Sequence, residues 1–196
     1  KYKQSLKIAN SLSVYDLLMS GKIVDDLWYR ANGKYVNIIY RKKLYDAVDY
    51  LKGGGKVIYI HANLGNGKTL FVESLKHQLQ KYNYKIFTLI EYYQHITPKE
   101  IKNIVEETGK KLIIIENYYN YLSVIKNLAL HHSDDIQFVF TARTVLYDTR
   151  LGEVEEYFGL NPGQSAVFDL NTLTVSEINS MNNILEKNGL WSDYSA

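Results

Sequence analysis

The chain has 196 residues, of which 46% are apolar, and this is enough to bury the core of one domain of ordinary size. A formal net charge of +2 provides no strong electrostatic attraction to nucleic acid or membranes, and the absence of cysteine excludes disulfides and thiolate metal sites. Because we find no signal peptide and no apolar run of membrane-spanning length, we expect a cytoplasmic protein without membrane contact.

The first predicted elements lie on either side of a glycine-containing segment. Residues 56–61, KVIYIH, form a short apolar run after three consecutive glycines and predict a buried strand. Residues 68–81 predict a helix, because their apolar side chains recur at the spacing of one helical face. The run YKIFTLIEYY (84–93) is rich in β-branched and aromatic residues and predicts a second strand.

The next helix carries its own start signals. In TPKEIKNIVEETG (97–109), Thr97 is the predicted N-cap, Pro98 takes the first helical position, and Glu100 completes a capping box. The following run, KKLIIIEN (110–117), is almost uniformly apolar until its acidic end. This is typical of a central strand in a parallel sheet that is covered on both faces.

Strands and helices continue to alternate in the second half of the chain. The predicted elements are a helix at 118–130, a strand at 136–143, a helical stretch at 144–160, a strand at 165–170, and a helix that starts with the capping pair Thr174 and Glu177 and ends at Gly189. This alternation predicts a three-layer α/β fold, in which a mainly parallel five-stranded sheet has helices on both faces.

The segment between the first strand and the first helix, ANLGNGKT, fits the phosphate-binding pattern G-x-x-x-x-G-K-[ST] except that Ala62 stands at the first position. Gly65 and Gly67 let backbone amides converge on an anion at the helix start. Lys68 is expected to reach the β and γ phosphates, and Thr69 to place its hydroxyl on Mg²⁺. The expected ATP- or ADP-binding residues of this segment are Ala62, Asn63, Leu64, Gly65, Asn66, Gly67, Lys68, Thr69 and Leu70. A plain glycine turn is the alternative, and the strand–loop–helix context argues against it.

An acidic group for the metal stands at the end of the third predicted strand. Ligands gather outside the carboxyl ends of parallel strands, so Glu116 is expected to bind Mg²⁺ and to take part in catalysis. Its alternative is a solvent-exposed acid at a strand end. Asn117 follows, where many ATPases have a second carboxylate that activates the attacking water. Because an amide cannot accept that proton, we expect slow hydrolysis or none.

A cation ends the next strand, FVFTAR. Arg143 would lie beside the γ-phosphate, where it could distinguish triphosphate from diphosphate and act in catalysis. The alternative is an arginine at a helix start that pairs with Asp148 or Glu153. Spacing alone leaves these two interpretations open.

Four segments together resemble those of the STAND class of signal-transducing P-loop ATPases, within the wider AAA-like group. They are YVNIIYRKKLYDAV (35–48), ANLGNGKT, LIIIEN and FVFTAR, which resemble the arginine-bearing upstream segment, the phosphate loop, the Walker B strand and the sensor strand of that class. The resemblance extends over residues 35–191. The chain departs from the class at Ala62 and at the pair Glu116-Asn117.

This resemblance implies a P-loop NTPase core at 35–170 with the sheet order 5-1-4-3-2. It implies an N-terminal helical or linker segment at 1–34 and the beginning of a helical lid at 171–196. It also implies that adenine binds between the lid and the segment near Arg41. In this class nucleotide often acts as a switch for oligomerisation, and bacterial members with added effector domains act in antiphage defence.

We therefore expect an ATP- and Mg²⁺-dependent switch that self-associates through its NTPase domain, within a larger signalling protein, and that hydrolyses ATP slowly or not at all. The alternative is an active motor or loader ATPase that acts on DNA or protein, using Glu116 and an arginine supplied in trans. A scaffold without nucleotide binding is disfavoured by the intact Lys68 and Thr69. Since the chain starts without Met and ends abruptly, we expect flanking effector or sensor domains.

Overall fold

The computed structural model describes residues 16–17, 23, 38–89, 98–131 and 133–190, with the backbone alone at 150 and 151. The predicted cap Thr97, the end of the second predicted strand and most of the N-terminal segment lie outside the described residues. The chain divides into two compact units, of which the larger is Lys42–Thr172 and the smaller combines Lys1–Arg41 with Leu173–Ala196.

The larger unit alternates helices and strands, as the sequence predicts. Its elements are α1 (Lys42–Lys52), β1 (Val57–His61), α2 (Lys68–Gln80), β2 (Lys85–Leu89), α3 (Pro98–Glu106), β3 (Lys111–Ile115), a short 3-10 helix (Tyr118–Asn120), α4 (Leu122–Ala129), β4 (Ile136–Ala142), α5 (Thr144–Phe158) and β5 (Ser165–Asp169). None of the described helices combines the length and the apolar character needed to cross a membrane.

The five strands form one sheet in the order β2-β3-β4-β1-β5, and every neighbouring pair is parallel. This confirms the predicted order 5-1-4-3-2 and the α/β fold class. At the amino end of β1, Val57 is in register with Phe138 of β4 on one side and with Ser165 of β5 on the other. The carboxyl ends of β4, β1 and β5 are therefore neighbours along one edge of the sheet.

Helices cover both faces of this sheet. On one face, Phe138 and Phe140 of β4 belong to an apolar cluster that includes Ile125 of α4 and Phe158 of α5. Successive strand residues point to opposite faces, and Gln137 accordingly points to the other one, where its Nε2 donates to the carbonyl of Leu51 in α1 at 2.8 Å. Every residue of β1, β3 and β4 is buried, which matches their nearly continuous apolar sequences.

The predicted helix at 118–130 is in fact interrupted. Tyr118–Asn120 is a 3-10 helix, Tyr121 has a φ of −128°, and the α-helix begins only at Leu122. Tyr118, in the 3-10 helix, and Tyr121, in the break, are both buried in the apolar cluster. Burial of two aromatic rings therefore outweighs continuation of the helix.

The helix α6 (Val175–Lys187) belongs to the smaller unit and starts with the predicted capping box. Thr174 Oγ1 accepts the backbone N–H of Glu177 at 3.3 Å, and Glu177 Oε2 accepts the backbone N–H of Thr174 at 2.9 Å. The same carboxylate oxygen lies 3.7 Å from Nε of Arg41. The ion pair thus joins the start of α6 to the chain segment that precedes α1.

A buried cation closes the carboxyl end of α3. The side chain of Lys111 is 1% exposed, and its Nζ donates to Asp135, to the carbonyl of Glu107 and, at 3.3 Å, to the carbonyl of Val105. Lys111, followed by Ser133, holds the pKa of Asp135 below its ordinary value of 3.8. A carboxylate whose pKa is lowered on folding stabilises the folded state at pH values above its ordinary pKa. This contribution is lost as the pH falls through the lowered pKa.

Replacement of this cation is expected to weaken the fold. Lys111→Met should lower the free energy of unfolding by about 1–3 kcal/mol at pH 7, because helix carbonyls lose their donor. The deficit should shrink as the pH falls from about 5 to about 2, where Asp135 becomes protonated in the parent protein as well. Denaturant titrations across this range measure both effects. Lys85→Met, which breaks a solvent-exposed pair with Glu107, is the control and should change the free energy of unfolding little. An equal loss of this free energy in both variants would contradict the role of Lys111.

Candidate functional site

The segment between β1 and α2 is shaped by two glycines with left-handed backbone. Gly65 has a φ of 82° and Gly67 a φ of 76°, a region that disfavours residues with a Cβ. Ala62 is buried and lies outside that region, because the non-glycine residues with positive φ in the described chain are Asn83 and Asn117. Alanine at the first motif position therefore imposes no backbone strain.

Helix α2 begins directly after this loop and presents its amino end to it. Gly67 occupies the N-cap position without a side chain to cap the helix, and the first helical bond runs from Phe71 N to the carbonyl of Gly67 at 2.9 Å. The amides of the first turn have no partner within the helix, and the helix dipole is positive at this end. This arrangement suits an anion.

Lys68 lies over the loop. Its Nζ donates to the carbonyl of Ala62 at 2.9 Å and to that of Asn63 at 3.2 Å. Burial, and next the positive charge of Arg143, lower the pKa of Lys68, while Glu116 opposes them. The ammonium is thus held near other charged groups in a place where an anionic ligand would stabilise it.

The two residues expected to bind metal lie together. Thr69 Oγ1 donates to Glu116 Oε2 at 3.4 Å, although the residues are 47 positions apart in the chain. Glu116 follows the last residue of β3, at the carboxyl edge of the sheet. A hydroxyl and a carboxylate are oxygen ligands of the kind that Mg²⁺ prefers.

Asn117 has a left-handed backbone, with a φ of 50°. Its backbone N–H donates to Thr141 Oγ1 of β4 at 3.3 Å. Asparagine is one of the few residues other than glycine that adopt this conformation readily. A glutamate in its place would therefore carry a backbone penalty.

Arg143 does not end a strand, since β4 stops at Ala142 and Arg143 is the N-cap of α5. It is exposed, and across the described residues no carboxylate lies within 4.0 Å of it, so the alternative pairs with Asp148 and Glu153 are not formed. Its charge acts on Lys68. A role beside the γ-phosphate stays a prediction, as does the predicted adenine contact of Arg41, which belongs to the smaller unit.

Two polar residues of the site, Asn171 and Thr144, were not anticipated from the sequence. Asn171 receives hydrogen bonds from Asn63 and Asn66 of the loop and donates one to Thr144 at the start of α5. The available signal was the rule that functional side chains follow the carboxyl ends of parallel strands, applied to the end of β5.

No protein-family model matches the chain, and no curated protein matches it in sequence. Among solved structures, ORC1 of Aeropyrum pernix in complex with DNA overlaps with it at a TM-score of 0.54 and 10% identity, over 89% of this chain and 52% of that one. The chain therefore spans about half the length of that protein. Two further structures overlap more loosely. A Walker-type ATPase of Pyrococcus abyssi has a TM-score of 0.49 and 7% identity, over 80% of this chain and 60% of that one. PCH-2 of C. elegans has a TM-score of 0.47 and 12% identity, over 96% of this chain and 54% of that one.

The fold and the loop define a class of protein. A parallel sheet in this order, with a Gly-Lys-Thr loop between β1 and α2, is the fold of P-loop NTPases. The overlap with ORC1 supports the same fold.

Proposed function

We propose that this chain binds ATP and Mg²⁺ through the loop at 62–69 and works as an AAA-like ATPase module. The observation that carries this proposal is the 3.4 Å separation of Thr69 Oγ1 and Glu116 Oε2, next to the uncapped amino end of α2. These groups match the donors and ligands that a phosphate chain with a bound divalent cation requires.

Each residue of the site has a distinct role in this proposal. The backbone amides after Gly67 hold phosphate oxygens, and Lys68 exchanges its two loop carbonyls for the β and γ phosphates. Thr69 and Glu116 hold the metal, which when bound neutralises phosphate charge. Arg143 contributes a second cation at the γ-phosphate.

Two modes of action use this site differently. The first is an active ATPase that acts on DNA or protein, and the overlap with the DNA-bound ORC1 favours this mode. The second is a STAND-type switch that self-associates and controls a larger signalling protein, such as one that acts in antiviral defence. In that mode the driving free energy is the difference in ATP affinity between two conformations. Asn117, which is not a general base, favours the switch.

Calorimetric titration with ATP tests the binding site. The unmutated chain should bind ATP, more tightly with Mg²⁺ than without it. Thr69→Val should weaken binding in Mg²⁺ about tenfold and leave metal-free binding nearly unchanged, because the valine keeps the shape and removes the ligand oxygen. Thr149→Val, which removes an exposed hydroxyl from α5, is the matched control. Absence of binding at millimolar ATP, or an unaltered Mg²⁺ dependence in Thr69→Val, would refute the site.

Steady-state turnover separates the two modes. A rate of about 1 per second or more, in the usual range of enzymes, supports an active ATPase. Tight binding with turnover far below that rate supports the switch. The measurement is best repeated over a range of protein concentrations, since an arginine supplied by a second copy would make the rate depend on concentration.

A further inference from the structure

Asn171 lies two residues beyond the carboxyl end of β5, and its side chain reaches the phosphate loop. Its Oδ1 accepts the backbone N–H of Asn63 at 2.8 Å and a side-chain N–H of Asn66 at 3.0 Å. One carboxamide oxygen therefore holds both ends of the loop segment that contains Gly65. The residues Asn63, Leu64 and Gly65 are exposed, so packing contributes little to the shape of this segment.

The other end of the same carboxamide is bonded to a different element. Asn171 Nδ2 donates to Thr144 Oγ1 at 3.0 Å, and Thr144 is the first residue of α5, next to Arg143. Thr144 Oγ1 also lies 3.2 Å from Nδ1 of His61, the last residue of β1. The amide thus connects the loops that follow three adjacent strands of the sheet.

The backbone of Asn171 is itself fixed. Its N–H donates to Oδ1 of Asp169 at 2.8 Å, and the N–H of Leu170 donates to the carbonyl of His61 at 2.9 Å. The carboxamide therefore extends from a segment that is attached to β1 at the end of the sheet. A group that is held in this way can determine the position of a loop that has little packing of its own.

We propose that Asn171 is a positioning residue of the nucleotide site, which holds the 63–66 segment in its anion-receiving shape and joins it to the start of α5. This inference rests on the proposed function, that is, on ATP binding by the loop. A loop that is ordered before the ligand arrives loses less conformational entropy on binding. The carboxamide accepts two hydrogen bonds on its oxygen and donates one from its nitrogen in this arrangement, whereas alanine can do neither.

Asn171→Ala tests the inference through ATP affinity and through amide exchange at Asn63. We expect ATP with Mg²⁺ to bind about tenfold more weakly, and the Asn63 amide of the nucleotide-free protein to exchange faster. Thr144→Val, which removes the acceptor of Asn171 Nδ2 together with the contact to His61, should reduce affinity in the same direction by about threefold. Asn161 is exposed and precedes the amino end of β5, at the other end of the strand from Asn171, so Asn161→Ala should behave as the unmutated protein.

The outcomes separate this inference from the function on which it rests. The positioning role is overturned if Asn171→Ala binds ATP as tightly as the unmutated chain does, or if the exchange rate of the Asn63 amide does not change. Either result leaves the proposed ATP binding intact. A loss of affinity that merely follows a general loss of stability, seen as faster exchange throughout the sheet, also overturns it. If the unmutated chain itself does not bind ATP, the proposed function fails and this inference fails with it.

Discussion

Lys68→Ala is expected to abolish the thermal stabilisation that ATP and Mg²⁺ confer, while the nucleotide-free protein still folds. A ligand at about 100 times its dissociation constant stabilises the folded state by about 2.7 kcal/mol, which corresponds to about 5–10 °C for a chain of this size. Burial and Arg143 already lower the pKa of Lys68, so the cation is disfavoured in the nucleotide-free loop. Its removal costs the nucleotide-free protein the hydrogen bonds to the carbonyls of Ala62 and Asn63, and relief from burying the charged group offsets part of that cost.

Thermal unfolding with and without nucleotide measures this difference. Lys81→Ala, at the other end of α2, removes an exposed lysine whose Nζ contacts Gln78 at 3.1 Å, and it should leave the nucleotide-induced shift unchanged. A shift that persists in Lys68→Ala, or that disappears equally in Lys81→Ala, would place the bound nucleotide elsewhere.

A carboxylate at position 117 is expected to accelerate ATP hydrolysis by about 10²-fold or more, the usual contribution of a general base. Asn117→Asp is the less disruptive variant, because aspartate tolerates the left-handed backbone at a φ of 50°. Asn117→Glu has the longer reach, at a cost of about 1 kcal/mol in the free energy of unfolding. Measurement of phosphate release under saturating ATP tests both variants.

Asn83 provides a control for the backbone effect. It is exposed, has a φ of 60°, and lies in the turn after α2. Asn83→Glu should show a similar loss of stability with no change in hydrolysis, since it lies at the opposite end of α2 from the loop. An unchanged hydrolysis rate in both position 117 variants would show that the absence of a base is not what limits turnover.

Local patterns explain why much of this molecule is predictable. The apolar runs of β1, β3 and β4 indicate buried parallel strands, and all three strands are completely buried. The capping box of Thr174 and Glu177 depends on four consecutive residues, so it forms as predicted. The loop with Lys68 and Thr69 is likewise a contiguous motif, which the strand before it and the helix after it support.

The predicted boundaries of helices and strands were less accurate where they depend on contacts with residues that are distant in the sequence. The division of the helix at Tyr121 follows from the burial of two tyrosine rings in a core that other elements complete. The strand predicted to include Arg143 stops one residue earlier, and Arg143 occupies the N-cap position of α5. Neither position carries a local signal that distinguishes these outcomes.

By itself, the sequence determined the alternation of strands and helices, the position of the phosphate loop and the types of side chain at the strand ends, because these features depend on neighbours along the chain. Only the tertiary structure decided which side chains meet. Glu116 lies 47 residues after Thr69, and Asn171 lies 108 residues after Asn63, yet each pair is joined by a hydrogen bond. The physical reason is the parallel sheet, which aligns the carboxyl ends of strands that are remote in sequence and so assembles one site from separate loops.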